Sequence, residues 1–146
     1  MIEELSASIY NKALDIISRR EHSKKELKEK LQKKFEAINT IDEVLEKLTN
    51  NNLINDERYA EMYTTIRKRK GFGPKRIEYE LSSRGINNSI SSHAIDEVGG
   101  WNEAAQNAFN KKFKYGVAEQ YKDKAKQKSF LQNRGFSFQE IDSVFS

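Results

Sequence analysis

The chain contains no cysteine, which excludes a disulfide framework and any thiolate metal site. Its two histidines, His22 and His93, are too few for a zinc cluster without carboxylate help. A single proline, Pro74, and seven glycines leave long helices permitted almost everywhere. No apolar run approaches the roughly 20 residues needed to span a bilayer. The acidic start, Met1 to Leu5, lacks the apolar region of a signal peptide, so a cytoplasmic protein without membrane contact is expected. No strand-like alternation of useful length occurs, which points to an all-α fold. Catalytic signatures are equally sparse. Gly71-Phe72-Gly73-Pro74 has neither the spacing nor the Lys-Ser/Thr ending of a phosphate loop. His93 has no triad context, and His22 beside Ser23 sits at a helix start, where capping or packing is its natural role. No catalytic residue, metal or cofactor is assigned, and a non-enzymatic protein is expected.

What the chain does contain is a period. Leu31, Leu81 and Leu131 lie fifty residues apart, each followed three positions later by a base: Lys34, Arg84, Arg134. Phe35 comes next in the first case, and Gly85 and Gly135 in the others. Each unit also carries a related tetrapeptide: Ile41 to Val44, Ile95 to Val98 and Ile141 to Val144. A fixed long period marks one structural unit copied in tandem. The 146 residues therefore divide into units 1–54, 55–99 and 100–146, each with a core too small to stand alone. The expected fold is three tandem three-helix repeats in an elongated, curved array, leaning on one another as stacked repeats do. Aligned on the tetrapeptide, the second unit has an insertion of about one helical turn near Asn87.

Each unit reads as helices A, B and C. Leu5, Ile9, Ala13, Ile16 and Ile17 share one face of the first helix A. Ser23-Lys24-Lys25-Glu26 is a capping box opening helix B, and Thr40 is read as the N-cap of helix C. The acids Asp42-Glu43, Asp96-Glu97 and Asp142 are read as first-turn residues favoured by the helix dipole. Asn55-Asp56-Glu57 opens the second helix A. Pro74 suits the first turn of the next helix B, and Gly85 the position just after its end. Gly99-Gly100 is the clearest boundary, and the third helix B is expected over about residues 117 to 134.

The bases are not evenly spread. With 26 bases against 22 acids the net charge is +4, divided as zero, +1 and +3 over the three units. The A helices end in Arg19-Arg20, Arg67-Lys68-Arg69-Lys70 and Lys111-Lys112-Phe113-Lys114, and Lys75 and Arg76 follow the second cluster. One or two cations per helix end offset the dipole. Six bases and no acid between 67 and 76 exceed that need, and suggest an anionic partner. Arg134 joins the candidate set because the buried Leu131 and the following turn fix its direction. Lys122, Lys124, Lys126 and Lys128 form two opposed rows on a helix, which reads as a solvated face. Phe72, Phe113 and Tyr115 lie among bases as stacking rings would, although packing between helices is the commoner use of such residues.

Several stretches resemble a known family. Leu53-Ile-Asn-Asp-Glu-Arg-Tyr-Ala60, Arg67, Gly71-Phe-Gly73 and Arg76 through Ile86 resemble the central signature of RecX regulatory proteins. Arg20-Glu-His-Ser23 with Glu26-Leu27 and Lys30-Leu31 resembles that family's first repeat, and Lys128 through Phe136 with Ile141 its third. The resemblance spans nearly the whole chain. It implies a cytoplasmic modulator, a monomer, that binds the RecA recombinase filament on single-stranded DNA and restrains strand exchange and ATP hydrolysis. It brings no catalytic residues. Phe35, Gln127 (where the other units have Leu27 and Ile77) and Gln132-Asn133 depart from the pattern.

The expected function is therefore a RecA regulator with a basic ribbon: Arg19, Arg20, Arg67, Lys68, Arg69, Lys70, Lys75, Arg76, Lys111, Lys112, Lys114 and Arg134. Alanine at all of 67–70 is expected to spare the fold and weaken binding. The rival is a stand-alone DNA-binding protein using helix-turn-helix-like units. The mixed Lys and Glu of the first helix B repel phosphate as much as they attract it. A third reading, a purely protein-binding array, predicts binding that changes little with salt.

Overall fold

The computed structural model describes residues 2–146. These form nine helices and no strand: α1 (Ile2–Ile17), α2 (Lys24–Gln32), α3 (Ile38–Asn50), α4 (Asp56–Arg69), α5 (Pro74–Ser83), α6 (Asn88–Val98), α7 (Trp101–Lys112), α8 (Tyr121–Asn133) and α9 (Phe138–Phe145). The helices pack most extensively within the triplets α1–α3, α4–α6 and α7–α9. Each triplet closes over its own apolar cluster. Leu27, Leu31 and Leu45 lie in the first, Tyr59, Ile77 and Leu81 in the second, and Phe109, Leu131 and Phe136 in the third. The chain exposes 9487 Å², whereas a compact protein of its mass would expose about 7,700 Å². The triplets are strung together, not gathered into one ball.

The fifty-residue period is stricter than the sequence suggests. Ile9, Tyr59 and Phe109 are all buried, and the third helices of the triplets begin at Ile38, Asn88 and Phe138. The insertion expected near Asn87 is absent. Buried Ser91 takes the place of Ile41 and Ile141, its Oγ donating to the Asn87 carbonyl at 3.3 Å. Ile95 corresponds instead to Leu45. A shift of four residues keeps a side chain on the same helical face, so the repeated tetrapeptide aligns convincingly one turn out of register.

Other local expectations are corrected as well. Asp96 and Glu97 lie at the end of α6, not in its first turn. Helix α3 starts before Thr40, and its N-cap, Ala37, makes no side-chain bond. Asp42 pairs with Lys28 at 2.9 Å instead of serving a first turn. Helix α8 starts at Tyr121, leaving residues 113–120 as a loop. The strong local signals hold. Ser23 forms its capping box, the Asn55 side chain caps α4, and Pro74 occupies the first turn of α5.

The triplets are joined by one repeated contact. Helices α5 and α8 each end in a Schellman turn. Gly85 N–H donates to Ser82 O at 3.0 Å and Ile86 N–H to Leu81 O at 3.0 Å; Gly135 and Phe136 do the same to Gln132 and Leu131 at 3.0 and 3.2 Å. The N-terminal end of the preceding unit's second helix docks on each turn. Ser23 Oγ donates to Arg84 O at 2.7 Å, and Lys25 Nζ to Ser83 O at 3.2 Å. Fifty residues on, Gly73 N–H donates to Arg134 O at 2.7 Å and Lys75 N–H to Gly135 O at 3.0 Å. The approach is close enough that a Cβ on Gly85 would lie 2.5 Å from Lys25 Cβ, and one on Gly135 2.4 Å from Arg76 Cβ. Phe35, at the equivalent position of unit one, receives no helix. Its ring packs against its own core, and its N–H donates back to Leu31 O at 2.9 Å.

This joint can be isolated by comparing two glycines. Gly135 and Gly116 both have positive φ, +99° and +81°, but a Cβ at Gly116 meets nothing within 4 Å. Gly116→Ala should cost only the backbone term of about 1–2 kcal/mol. Gly135→Ala should cost at least about 2 kcal/mol more in urea unfolding, because it also forces the joint apart. Equal losses would show that the joint tolerates separation.

Candidate functional site

The densest basic surface lies where the second and third units meet. Helix α4 runs into its basic end, Gly71 reverses the chain with φ +94°, and Phe72 and Gly73 lead into α5. Docking of α5 on the α8 turn then brings Arg134 alongside. The three guanidinium groups of Arg67, Arg76 and Arg134 lie 3.9, 4.5 and 4.7 Å from the centre of the Phe72 ring, within cation–π range. Arg134 also lies 5.0 Å from the Phe130 ring. Phe72 is thus a packing residue at the joint, and Phe113 packs against Phe109 and Phe130. Tyr115 is fully exposed.

One carboxylate organises this cluster. Glu80 accepts from Arg67 Nε and Nη2 at 2.9 and 2.8 Å, from Tyr63 Oη at 2.8 Å and from Arg76 Nε at 3.3 Å. Burial alone would raise its pKa, but the Arg67 and Tyr63 hydrogen bonds and the Arg67 charge outweigh burial and hold the carboxyl below its ordinary range. At the first joint Glu26 occupies a similar position. Burial opposes its ionisation, while the Ser23 N–H and Arg20 hold its pKa down. Its charge and burial push neighbouring Tyr59 up to about 12, burial being the larger cause. Buried His22 bridges the Arg20 carbonyl and Lys30 Nζ at 2.9 and 2.8 Å, and burial lowers its pKa. This is the packing role expected of it.

The candidate bases therefore divide. Arg67 and Arg76 share Glu80, and Arg20 pairs with Glu26 at 3.3 Å. Lys68 Nζ donates to Gly99 O at 2.7 Å and sits over the Trp101 ring, tying α4 to the Gly99-Gly100 boundary. Arg67 and Lys68 are thus built into the fold, against the expectation that all of 67–70 can be removed without harm. Arg69, Lys70 and Lys111 instead line an open groove of about 400 Å³ with Lys68, and no acid lines it. Lys112 sits over Phe130, and Lys75 over the exposed ring of Phe138. Arg19 belongs to a separate surface on unit one, 3.4 Å from Asp15. Lys114 lies in the 113–120 loop.

Sequence reasoning missed Glu80. Its signal was present: it lies four residues beyond Arg76 on one helix, the spacing of an ion pair, which the nearer Glu78 does not have. Gln127 was noticed only as a departure. It is buried, its Oε1 accepts from Ala118 N–H at 3.0 Å, and its Nε2 donates to Gly116 O at 3.1 Å. It replaces apolar burial worth about 1.5–3 kcal/mol with two bonds that fix the loop.

A helix-turn-helix reader would present the N-terminal end of its recognition helix to bases. The corresponding ends of α2 and α5 are occupied by the joints, whereas that of α8 docks on no following unit among the described residues. Among the described residues there is no cluster able to hold a metal ion, and no helix is long and apolar enough to cross a membrane.

Serial three-helix units joined end-on, with an open basic surface at the second joint, define a helical-repeat protein. Comparison with known proteins gives the family. Models of the first, second and third three-helix domains of RecX match residues 10–48, 55–95 and 102–145. The chain is 36% identical over 135 residues to the regulatory protein RecX of Pseudomonas tolaasii, covering 92% of this chain and 87% of that protein. It is 35% identical, with the same coverage, to that of Pseudomonas fluorescens strain SBW25. The crystal structure of RecX from Lactobacillus salivarius superposes with a TM-score of 0.81 at 28% identity, covering 96% of this chain and 94% of that one. The chain belongs to the RecX family of regulatory proteins.

Removing Arg67 leaves Glu80 half-buried with weaker partners. Arg67→Ala should destabilise the protein by about 1.5–3 kcal/mol in urea unfolding. Because the folded-state pKa values of Glu80 and Glu26 are depressed, their contribution is complete above the unfolded value of about 4.3 and is lost as pH falls through the folded values. Unfolding midpoints should therefore drop below about pH 4.5, and Glu80→Gln should flatten part of that drop.

Proposed function

We propose that this protein binds the RecA filament on single-stranded DNA and restrains its strand exchange and ATP hydrolysis. Supporting this is the acid-free basic groove at the second joint, in a chain matched in order by all three RecX domains. An open, elongated series of units suits a long partner surface better than a pocket would. Arg69, Lys70, Lys75, Lys111, Lys112, Lys114 and Arg134 meet phosphate or acidic filament surface. Arg67, Lys68 and Arg76 hold that surface in place, and Arg19 and Arg20 extend contact to the first unit. The protein acts by binding, as a cytoplasmic monomer, with no chemistry of its own.

The test is RecA ATPase on single-stranded DNA, with and without this protein, across a salt series. Inhibition is expected, weakening steeply as salt rises. The triple variant R69A/K70A/K111A should fold normally. It should need roughly tenfold more protein for half-inhibition, with a shallower salt dependence. No inhibition by the wild type at any salt would defeat the proposal; an unchanged triple variant would defeat the assigned surface.

A further inference from the structure

The loop between α7 and α8 carries features that the basic groove does not account for. Tyr115 and Tyr121 are 102% and 87% exposed, in contact with solvent over almost their whole surface. Lys112, Lys114 and Lys122 are interleaved with them, against the acids Glu119 and Asp123. A ring left in water on a floppy loop would be unremarkable, but this loop is fastened at both ends. Phe113 is packed in the third core, 5.1 Å from the Phe109 ring and 5.4 Å from the Phe130 ring. The buried amide of Gln127 grips Gly116 O and Ala118 N–H. The equivalent residues of the other units, Leu27 and Ile77, are fully buried apolar side chains. The third unit gives up apolar core at this position, and what it holds in return is the loop backbone between the two tyrosines, at Gly116 and Ala118.

We infer that residues 113–121 form a base-stacking platform for single-stranded nucleic acid, with Tyr115 and Tyr121 as the stacking rings and Lys112, Lys114 and Lys122 as phosphate contacts. Every base has a flat π-face, so rings stack without reading sequence, and neighbouring lysines follow the backbone. A single strand exposes those faces, whereas a duplex buries them. The inference extends the filament reading by placing a direct nucleic-acid contact on the third unit. It can fail while that reading stands.

The experiment is fluorescence anisotropy with a labelled oligothymidylate and the full chain, alongside inhibition of RecA ATPase. Tyr115→Ala and Tyr121→Ala should each weaken oligonucleotide binding roughly tenfold without changing the salt slope. Tyr115→Phe and Tyr121→Phe, which keep the ring, should bind like wild type. K112A/K114A should instead flatten the slope. Gln127→Leu should melt no lower than wild type yet bind more weakly, because the rings remain but their support is lost. Wild-type affinity in both alanine variants overturns the inference, as does equal weakening in the phenylalanine variants. Failure of the wild type to bind the oligonucleotide while still inhibiting RecA would sink this inference and leave the filament proposal intact.

Discussion

Two helix ends, one arriving and one departing, meet through glycine at each boundary in this protein. The departing end offers carbonyl groups that a helix cannot satisfy within itself, and the arriving end supplies donors. Glycine is needed because the arriving helix fills the space of a Cβ, with the Lys25 side chain at Gly85 and with Arg76 backbone and Cβ at Gly135, and because the turn requires positive φ. Three cores, each too small to be secure alone, gain stability from that contact. The arrangement of bases depends on it as well, since Arg134 reaches Phe72 only because α5 is seated on the end of α8.

The same joint sorts charge into two kinds. Some guanidinium groups are consumed in holding it. Arg67 and Arg76 share the one carboxylate of Glu80 and lie against one ring. Others, such as Arg69 and Lys70, are exposed and form no ion pair among the described residues. A run of six bases is therefore not one surface. The half-buried Arg67 and Lys68, with the exposed Arg76 held by Glu80, carry cohesion, and the unpaired exposed ones carry electrostatic reach, which salt screens.

How much of this could be read from the chain depended on range. Leu31, Leu81 and Leu131, the Ser23 capping box, Pro74 and Gly85 act on neighbours within a turn, and their positions were legible. The register of α6 was not, because Ile95 and Ser91 share a face and the tetrapeptide favoured the wrong one. Nor could sequence pair Arg67 with Glu80, thirteen residues away across a turn, or explain Gln127, whose partners are backbone atoms of a loop. Phe35 was legible as an exception, but its meaning needed the geometry of Gly85 and Gly135.

That exception gives the series a direction. Each link has a giving side and a receiving side, like a coupling between railway carriages. At the first unit the receiving side is blocked by an aromatic residue folded back onto its own core. At the third, α8 begins at Tyr121, a turn earlier than the period requires, so its giving side is out of position. The matched pair of faces that a head-to-tail contact repeats when it does not close on itself is therefore not present in the same form at the two free sides. A connector used twice inside the chain is altered at both of its free faces.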